Sequence, residues 1–378
     1  MQSVEAGGLG IGDGYPPRVM GVLNVSEESP YDPSVFTDPE EAARYVDESL
    51  IDEGADIVDV GLESANKRFD VLSADDELAR LERALEIVDR VAGEAVFSIE
   101  TRYAAVADAA LAGGFDLVND ICGFADPELP EVCAAHDVPA VKMAGPGELD
   151  RPGAVETVDD IYAALAADPL PRETIVDPAF GGWSEDKTVE IDRETFRRLR
   201  EFQAIDRPML VSINRKNFLR HLADRSTEDA LPVSLAATAM AVERGAHVLR
   251  THDVAATRDA AIIGDAFRRD RLDDPDRGIR ELDVTNDREL DRHLERIGAG
   301  RAGTVDEMAH VLELSALDDV ERSLAQSLVG EAACRLVGNR SDGPTILVGT
   351  TRGIERLRDA LDGEAPGLVG ALDAFLST

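Results

Sequence analysis

The chain has 378 residues and a formal net charge of −37, from 76 acidic and 39 basic residues. Such a surface repels nucleic acid and anionic membranes, and it favours a halophilic setting in which a salt-rich cytoplasm screens the self-repulsion. No stretch approaches the roughly 18 apolar residues of a membrane-spanning helix, and the Gly-rich, acidic start does not fit a secretory signal. We therefore predict a cytoplasmic protein whose three cysteines are reduced.

Eight short runs rich in valine and isoleucine alternate with helical patterns along the first two thirds of the chain. The predicted strands are Val19–Val25, Asp56–Gly61, Ala95–Ile99, Leu117–Asn119, Ala140–Met143, Thr174–Asp177, Pro208–Ile213 and His247–Arg250. Eight βα units favour a closed parallel barrel, and the GxGxxG turn that an open doubly wound sheet would place after its first strand is absent. The sequence predicts an α/β fold, a TIM (β/α)8 barrel, over residues 15–268.

The remaining third of the chain has a different composition. Residues 269–288 are highly charged and predict a linker, and residues 289–378 predict a small C-terminal α/β module. The predicted elements of this module are helices at Arg288–Ile297, Val305–Leu314 and Val320–Val337, a strand at Thr345–Val348, and helices from Gly353 onward. Nothing in the sequence assigns a role to the module.

Polar residues recur where the predicted barrel strands end. The segments are Met20–Val25 (MGVLNV), Asp56–Ser64 (DIVDVGLES), Ser98–Arg102 (SIETR), Val118–Ile121 (VNDI), Asp177–Gly182 (DPAFGG), Ser212–Leu219 (SINRKNFL) and Arg250–Val254 (RTHDV). The C-terminal ends of barrel strands meet at one face, where the loops build the active site. One shared pocket, and therefore an enzyme, is the prediction.

Taken in order, these segments resemble the motifs of the pterin-binding family typified by dihydropteroate synthase. The resemblance covers about residues 18–268, with an LNV strand end at 23–25, a GAxIIDIGGES counterpart at 54–64, and counterparts of the SIDT, NDI, DPG, SRK and RxHDV elements. It implies a divergent, haloarchaeal-like transferase of folate biosynthesis. The implied reaction condenses 6-hydroxymethyl-7,8-dihydropterin pyrophosphate with p-aminobenzoate and releases pyrophosphate.

The residue types suit these two small-molecule substrates. A carboxylate, an amide and an ammonium can fix the donor–acceptor edge of a reduced pterin, and Asp177, Asn119 and Lys216 supply that set. A pyrophosphate leaving group calls for cationic donors and a hard cation with oxygen ligands. By the resemblance, Arg250, His252 and a Mg²⁺ ion bound to Asn24 fill these roles, and Asp177, Lys216, Arg250 and His252 are the expected catalytic residues.

Several positions depart from the family pattern. Glu100 stands where the family has an aspartate that contacts the pterin, and Glu63 is kept in an element that has lost its Thr and Arg. Lys67 or Arg68 is the expected replacement for the lost arginine, although an ammonium is less specific than a guanidinium. By the resemblance, Lys187 is the expected counterpart, at a displaced position, of a family lysine.

Two other functions stay open at this stage. Asn214 replaces the Ser of the SRK element and supports a pterin-dependent methyltransferase that delivers a methyl group to a corrinoid protein, whereas Lys216 and the RTHDV segment favour the synthase. A non-catalytic pterin-binding scaffold is the third. The sequence leaves open whether the barrel forms a homodimer and which arylamine it accepts. It also predicts that Asp59, which alternates with apolar Val60 and Leu62, points into the barrel as a hydrogen-bonded acid.

Overall fold

The computed structural model consists of two compact units, Met1–Ile279 and Arg280–Thr378. The structure describes residues 3–26, 34–36, 38–63, 71–153, 155–167, 170–184, 186–269, 271, 273–274, 279–298, 309–314, 317–337, 345–361 and 363–377. No helix within these ranges is both long enough and apolar enough to cross a membrane.

The first unit begins with a hairpin of β1 (Val4–Ala6) and β2 (Leu9–Ile11), which precedes the barrel strands. The barrel strands are β3 (Arg18–Asn24), β4 (Ile57–Gly61), β5 (Val96–Glu100), β6 (Leu117–Asp120), β7 (Ala140–Met143), β8 (Thr174–Asp177), β9 (Leu210–Val211) and β10 (Val248–Thr251). All neighbouring pairs are parallel, in the order β8-β7-β6-β5-β4-β3-β10-β9. One bridge between Val176 and Met209 joins the two ends of this order. The predicted TIM barrel is therefore confirmed, with one weakly paired seam.

Helices follow the barrel strands on the outside. They are α1 (Pro39–Tyr45), α2 (Ala74–Val88), α3 (Ala104–Ala112), α4 (Leu129–Ala135), α5 (Val158–Ala166), α6 (Val189–Arg197), α7 (Asn217–Ala223), α8 (Leu231–Glu243) and α9 (Val254–Ala266). A π-helical turn at Val46–Ile51 extends α1, and a 3₁₀ segment at Leu199–Ile205 follows α6. The short α7 inside the loop after β9 is an element that the sequence analysis did not predict.

Capping residues explain where the first helices begin. Asp38 Oδ1 accepts hydrogen bonds from the backbone N–H groups of Glu40 and Glu41, both at 3.0 Å, and proline occupies the first helical position of α1. Ser73 and Asp76 form a reciprocal capping box at the start of α2. Each cap satisfies N–H groups that have no partner inside the helix.

An apolar layer closes the lower end of the barrel. Each of the eight strands contributes one buried side chain to it: Met20, Ile57, Val96, Leu117, Val141, Ile175, Leu210 and Val248. Val4, Ala6 and Ile11 of the hairpin pack against this layer. The N-terminal hairpin thus plugs the barrel at the end opposite the C-terminal strand ends.

Asp13, which follows the hairpin in the chain, is held by charged partners at the same end. His247 Nε2 lies 3.2 Å from Asp13 Oδ1, and Arg268 Nη2 donates to the same oxygen at 3.3 Å. His247 Nδ1 accepts the backbone N–H of Met209 at 3.1 Å. His247 therefore serves the structure at the lower end of the barrel.

Two short paired strands, β11 (Asp273–Asp274) and β12 (Ile279–Arg280), follow the barrel in the chain. The second unit then contains α10 (Asp287–Arg296), β13 (His310–Leu314), α11 (Asp319–Leu328), β14 (Arg335–Val337), β15 (Thr345–Gly349), α12 (Thr351–Ala360) and α13 (Pro366–Leu376). Its three strands form an antiparallel sheet in the order β13-β15-β14. Leu336 and Leu347 of the sheet share a core with Ile354, Leu357 and Leu372 of the helices.

Two helices predicted in this unit are wrong in part. Residues 310–314 of the predicted helix Val305–Leu314 form β13, whereas residues 305–308 lie outside the described residues. The predicted helix Val320–Val337 ends at Leu328, and its last three residues form β14. Pairing of both segments with the central strand β15 outweighs the helix propensity of their Leu residues.

Candidate active site

The barrel interior changes from apolar to polar two residues further along its strands. Side chains at positions i and i+2 of a strand face the same side, so the next inward positions follow directly from the apolar layer. They are the polar residues Asp59, Ser98, Asn119, Asp177, Ser212 and Arg250, together with the apolar residues Val22 and Met143. We call this set the polar layer. It lies toward the C-terminal strand ends, where barrel enzymes carry their active sites.

Asp59 is fully buried at the centre of the polar layer. Its Oδ1 accepts a hydrogen bond from Ser98 Oγ at 2.7 Å. Its Oδ2 accepts hydrogen bonds from Asn119 Nδ2 at 3.0 Å and from Arg250 Nε at 2.7 Å. One carboxylate therefore ties together side chains from β4, β5, β6 and β10.

Arg250 is held by a second carboxylate, that of Glu100. Its Nη2 donates to Glu100 Oε2 at 2.7 Å. Burial raises the pKa of Glu100, and the charge of Arg250 opposes that rise. Burial alone would lower the pKa of Arg250, but the charges of Asp59 and Glu100 raise it on balance. The guanidinium is thus a permanent, well-oriented cation.

Asp177 ends β8 and is buried. Its Oδ1 accepts the backbone N–H of Ala179 at 2.8 Å, in a tight turn where Ala179 has a φ of 59°. Burial raises the pKa of Asp177, and the charges of Lys216, Lys187 and Arg250 oppose the rise. The carboxyl group is therefore sensitive to what occupies the space beside it.

Lys216 precedes α7 and stands beside the only tryptophan in the chain. Its Nζ lies 5.7 Å from the centroid of the Trp183 ring, at cation–π distance. Burial lowers the pKa of Lys216, and the charge of Arg250 lowers it further. The indole in turn packs on the backbone of Gly153, where a Cβ atom would stand 2.5 Å from Trp183 Cγ.

Lys187 contacts the loop after β8 and a carboxylate that binds the same loop. Its Nζ donates to the carbonyl oxygen of Ala179 and lies 3.8 Å from Asp192 Oδ1. Asp192 Oδ2 accepts the backbone N–H of Gly181 at 3.0 Å. Burial lowers the pKa of Lys187 to about 8. These contacts fix the loop that follows Asp177.

A cavity with a volume of ≈ 190 Å³ opens among the last two strands and their loops. Its lining residues are Val22, Ser212, Asn214, Arg215, Lys216, Thr227, Arg250, Thr251 and His252. Two arginines and a lysine make it a cationic cavity in a chain of strongly negative charge. Burial, with the charges of Arg250 and Lys216, lowers the pKa of His252 to about 3, so its imidazole is neutral near pH 7. The cavity is suited to an anion.

Asp253 fixes one wall of this cavity. Arg215 donates to it from Nε at 2.8 Å and from Nη2 at 2.9 Å, a bidentate pair. Asn214 Nδ2 donates to Asp253 Oδ2 at 2.9 Å. Asn214, at the position of the family serine, and the next residue, Arg215, are therefore bound to the loop after β10.

Asn24, the expected metal ligand, ends β3. Its Nδ2 donates to Ser34 Oγ at 2.8 Å, which leaves Oδ1 as the atom able to bind a cation. Gly61 leaves space there, because a Cβ atom at that position would lie 3.1 Å from Asn24 Oδ1. Across the described ranges, no cluster of three or more His, Cys, Asp or Glu side chains could hold a metal ion. The residues thus fit Mg²⁺ held by one amide oxygen, water and substrate phosphates, which is a common arrangement for this ion.

Glu63 lies in an ion pair at the rim of the barrel. Its Oε2 accepts a hydrogen bond from Arg102 Nη2 at 2.8 Å, and its Oε1 accepts the backbone N–H of Leu72 at 3.2 Å. Arg102 also donates to the carbonyl oxygen of Leu149 at 2.5 Å. This pair joins three loops. Lys67 and Arg68 lie outside the described residues.

Most of the sequence-predicted residues come together, and the structure adds others to them. Asn119, Arg250 and Glu100 share one hydrogen-bonded group, and Lys216, Arg250 and His252 line the cavity. Asp59 and Ser98 were not predicted as site residues. Their spacing of two from the apolar residues Ile57 and Val96 is the signal that places them in the polar layer.

Comparison with known proteins agrees with this geometry. The family model described as "Pterin binding enzyme" matches residues 20–252. A probable bifunctional folylpolyglutamate synthase/dihydropteroate synthase of Haloferax volcanii is 34% identical over 260 residues, which are 64% of this chain and only 30% of that protein. The dihydropteroate synthase of Neisseria meningitidis serogroup B is 32% identical over 268 residues, 66% of this chain and 93% of its own.

A solved structure shares the fold of the barrel unit. The dihydropteroate synthase of Coxiella burnetii in complex with pteroic acid has a TM-score of 0.59 and 30% sequence identity. The match covers 71% of this chain and 99% of that one. The matched family model spans more than half of the present chain. The chain belongs to the family of pterin-binding enzymes.

Proposed function

We propose that the chain is a dihydropteroate synthase, a transferase that joins 6-hydroxymethyl-7,8-dihydropterin pyrophosphate to p-aminobenzoate with release of pyrophosphate. The observation that carries the proposal is the adjacency of two sites of different chemistry. An amide and a carboxyl group in the barrel interior suit the pterin edge, and the cationic cavity suits a diphosphate. Lys216 and Arg250 belong to both, so a pterin that carries a diphosphate matches the pair.

The pterin half of the proposal uses Asn119, Asp177 and Lys216. Their amide, carboxyl and ammonium groups complement the donors and acceptors of a planar heterocycle, and charged partners strengthen such hydrogen bonds in a buried site. The raised pKa of Asp177 and the lowered pKa of Lys216 both result from burial. A ligand with the complementary groups would give Asp177 and Lys216 hydrogen bonds in place of those to water that burial has removed.

The diphosphate half uses Arg250, Lys216 and neutral His252. We propose that Asn24 Oδ1 holds a Mg²⁺ ion, which supplies neutralisation of the diphosphate charge when bound. In the proposed reaction the amine nitrogen of p-aminobenzoate forms a bond to the methylene carbon of the pterin. The C–O bond breaks, its electron pair leaves with pyrophosphate, and the amine releases one proton. Fixed cations beside the departing oxygen stabilise the charge that develops there.

Pyrophosphate release tests the proposal. Purified protein is assayed in molar KCl and Mg²⁺ with the pterin diphosphate, with and without p-aminobenzoate, beside an Asp177→Asn variant. We expect release only with both substrates, and a loss of about a hundredfold or more in the variant, as for removal of a charged group that acts in the transition state.

The other outcome separates the alternatives. Pterin binding without amine-dependent release would favour the methyltransferase or the non-catalytic scaffold. The amide of Asn214, the feature that favoured a methyltransferase, is hydrogen bonded to Asp253 and so does not lend that alternative further support. The synthase therefore stays the first proposal.

We also propose the setting in which this enzyme acts. The charge of −37 supports a salt-rich cytoplasm, where activity should need molar KCl. The catalytic part is residues 15–268, joined through residues 269–288 to a module at 289–378. A homodimer is proposed because exposed apolar side chains gather on neighbouring helices, namely Met240 of α8 with Ile262, Ile263 and the following Phe267 of α9.

A further inference from the structure

The central position of Asp59 points to a role in specificity. We infer that Asp59 is a positioning residue that fixes which end of the Asn119 amide meets the substrate, and that it thereby makes the site select a pterin over its 2,4-dioxo analogue, a lumazine. The inference rests on the proposed pterin site and goes beyond it, because it assigns the donor–acceptor order of that site to a residue behind the amide.

The first step is the direction of one hydrogen bond. Asp59 Oδ2 accepts a hydrogen bond from Arg250 Nε at 2.7 Å, and because a guanidinium only donates, this oxygen acts as an acceptor. The amide end that faces Asp59 Oδ2 at 3.0 Å must therefore be the Nδ2 end of Asn119. The hydrogen-bond partner therefore determines the orientation of the amide, although its two ends have nearly the same shape.

The second step concerns which atom of the Asn119 amide is left to bind a ligand. With Nδ2 bound to Asp59, Asn119 Oδ1 stands at the opposite end. Among the residues that the structure describes, no hydrogen bond is found to that oxygen. Exchanging the two ends would place Oδ1 against Oδ2 of a buried carboxylate, which costs a hydrogen bond and adds repulsion. Asn119 consequently offers its acceptor and donor in one fixed order.

The third step is the substrate class that this order selects. A pterin has an acceptor at N1 and an amino donor at C2, whereas a lumazine has a donor at N1 and a carbonyl acceptor at C2. The two heterocycles have nearly the same shape, and they differ by an exchange of donor and acceptor along one edge. A fixed amide pairs with one order only, whereas an amide free to turn pairs with either.

The experiment compares the binding of 6-hydroxymethylpterin and 6-hydroxymethyllumazine by calorimetry in molar KCl. We expect the unaltered protein to prefer the pterin by about tenfold or more, the effect of about one lost hydrogen bond. In an Asp59→Ala variant the preference should fall to about twofold, because Asn119 can then turn. Equal weakening of both ligands, with the preference unchanged, would overturn the inference and indicate a merely structural role.

Three further variants serve as controls. Asp59→Asn keeps an oxygen toward Asn119 and Arg250 and turns its NH₂ toward Ser98 Oγ, so the pterin preference should persist. Ser98→Ala removes the third donor to Asp59 without affecting Asn119, and it should also keep the preference. Asn119→Ala should lower the preference to the level of Asp59→Ala, and it should add nothing to Asp59→Ala in the double variant.

These arms also separate the inference from the function on which it rests. Should Asp59→Ala not fold, Asn119→Ala remains decisive, since an unchanged preference there would show that the amide does not read this edge. Failure of the unaltered protein to bind either heterocycle would remove the proposed function and the inference together. Binding of both with a pterin preference that Asp59→Ala leaves intact would remove the inference alone.

Discussion

The basic side chains of the site differ in whether they carry a charge near pH 7. Arg250 is ion-paired with two carboxylates, Lys216 has a pKa lowered by burial, and His252 has a pKa of about 3. A neutral imidazole donates or accepts a hydrogen bond but adds no charge to the cavity. The cationic groups that line the cavity are therefore Arg250, Lys216 and Arg215, and the two arginines are also paired with carboxylates.

The protonation of His252 predicts the shape of a pH profile. Because its pKa is lowered from 6.5 to about 3, its ionisation should not produce a limb between pH 5 and pH 8 in kcat/KM. A His252→Asn variant should therefore lower the profile by a factor of about ten without changing its shape in that range. A limb near pH 6.5 in the unaltered protein that the variant lacks would contradict this.

At the same scale, the sequence reveals some site residues and hides the roles of others. Asp59 could be predicted as an inward-facing acid, because it alternates with apolar residues along β4. Its bond to Arg250, 191 residues later in the chain, could not, because it depends on β10 returning beside β3 and on the side-chain torsions of Arg250. Glu63 shows the same limit, since its partner Arg102 comes from the neighbouring strand end.

Among the elements, the loops on the active-site face depend on one another through Trp183. The indole lies between Gly153, in the loop after β7, and the ammonium group of Lys216, after β9. Gly153 has a φ of +58° and no Cβ atom, which lets the ring approach its backbone. A change in one loop is thereby passed to a residue that we place at the pterin.

We expect Gly153→Ala to displace the indole and to raise KM for the pterin diphosphate severalfold, since its Cβ atom would meet Trp183 Cγ at 2.5 Å. The fluorescence of the single tryptophan measures the displacement directly. Gly147→Ala is the matched control, because Gly147 has a φ of +77° in the same loop and no atom within 4 Å of its built Cβ. Equal spectra and equal KM values for the two variants would show that backbone strain, rather than the contact, is responsible.

The N-terminal hairpin depends on the lower barrel end through Asp13. Burial raises the pKa of Asp13, but its hydrogen bond to His247 and the charges of His247 and Arg268 lower it to about 2. Because the folded pKa is below the ordinary aspartate value of 3.8, the contribution to stability is present above pH 4 and is lost as the pH falls toward 2.

An Asp13→Asn variant should therefore be less stable than the unaltered protein near pH 6, by about 2 kcal/mol in the free energy of unfolding. The difference should vanish as the pH approaches 2, and urea unfolding at several pH values measures it. Asp265→Asn is a suitable control, because Asp265 pairs with the same Arg268 at 3.6 Å but is more exposed. A difference for Asp13→Asn that stays constant down to pH 2 would exclude the linkage.

The element predictions failed where pairing with a distant strand decides the structure. The barrel repeats its βα unit, and each strand borders a neighbour in the chain order, so local patterns were sufficient there. In the second unit, β13 has alternate exposed and less exposed residues, which is a strand pattern over only five residues. A window so short does not distinguish a strand from one helical turn without knowledge of β15.

At the scale of the whole molecule, the strongly acidic chain exposes several large apolar side chains on two helices. Four large apolar side chains on or after α8 and α9 are between 46% and 78% exposed. These two helices pack closely, because Gly264 of α9 faces the backbone of Ala239 in α8. Exposed apolar side chains on two neighbouring helices of a highly charged protein are typical of an interface between subunits.

We expect the protein to be a dimer in molar KCl and the double variant Ile263→Glu/Phe267→Glu to be a monomer, because charges would be buried without partners. Light scattering coupled to gel filtration measures the mass. Ile297→Glu is the control, since Ile297 is 65% exposed in the other unit and should leave the dimer intact. A monomeric unaltered protein would refute the proposed homodimer.

The plugged lower end of the barrel has a consequence for the order of folding. The hairpin at residues 4–11 precedes the barrel strands in the chain, yet it shares one apolar cluster with a residue from each of the eight strands, the last of them Val248. Such long-range contacts form late, because closing a loop of that length costs entropy before any contact is gained. The hairpin therefore has no complete binding surface until the eighth strand is present. We expect it to bind only after all eight strands of the barrel have assembled. Lost hairpin contacts should then speed unfolding more than they slow folding, which would make the first dozen residues a determinant of the protein's lifetime.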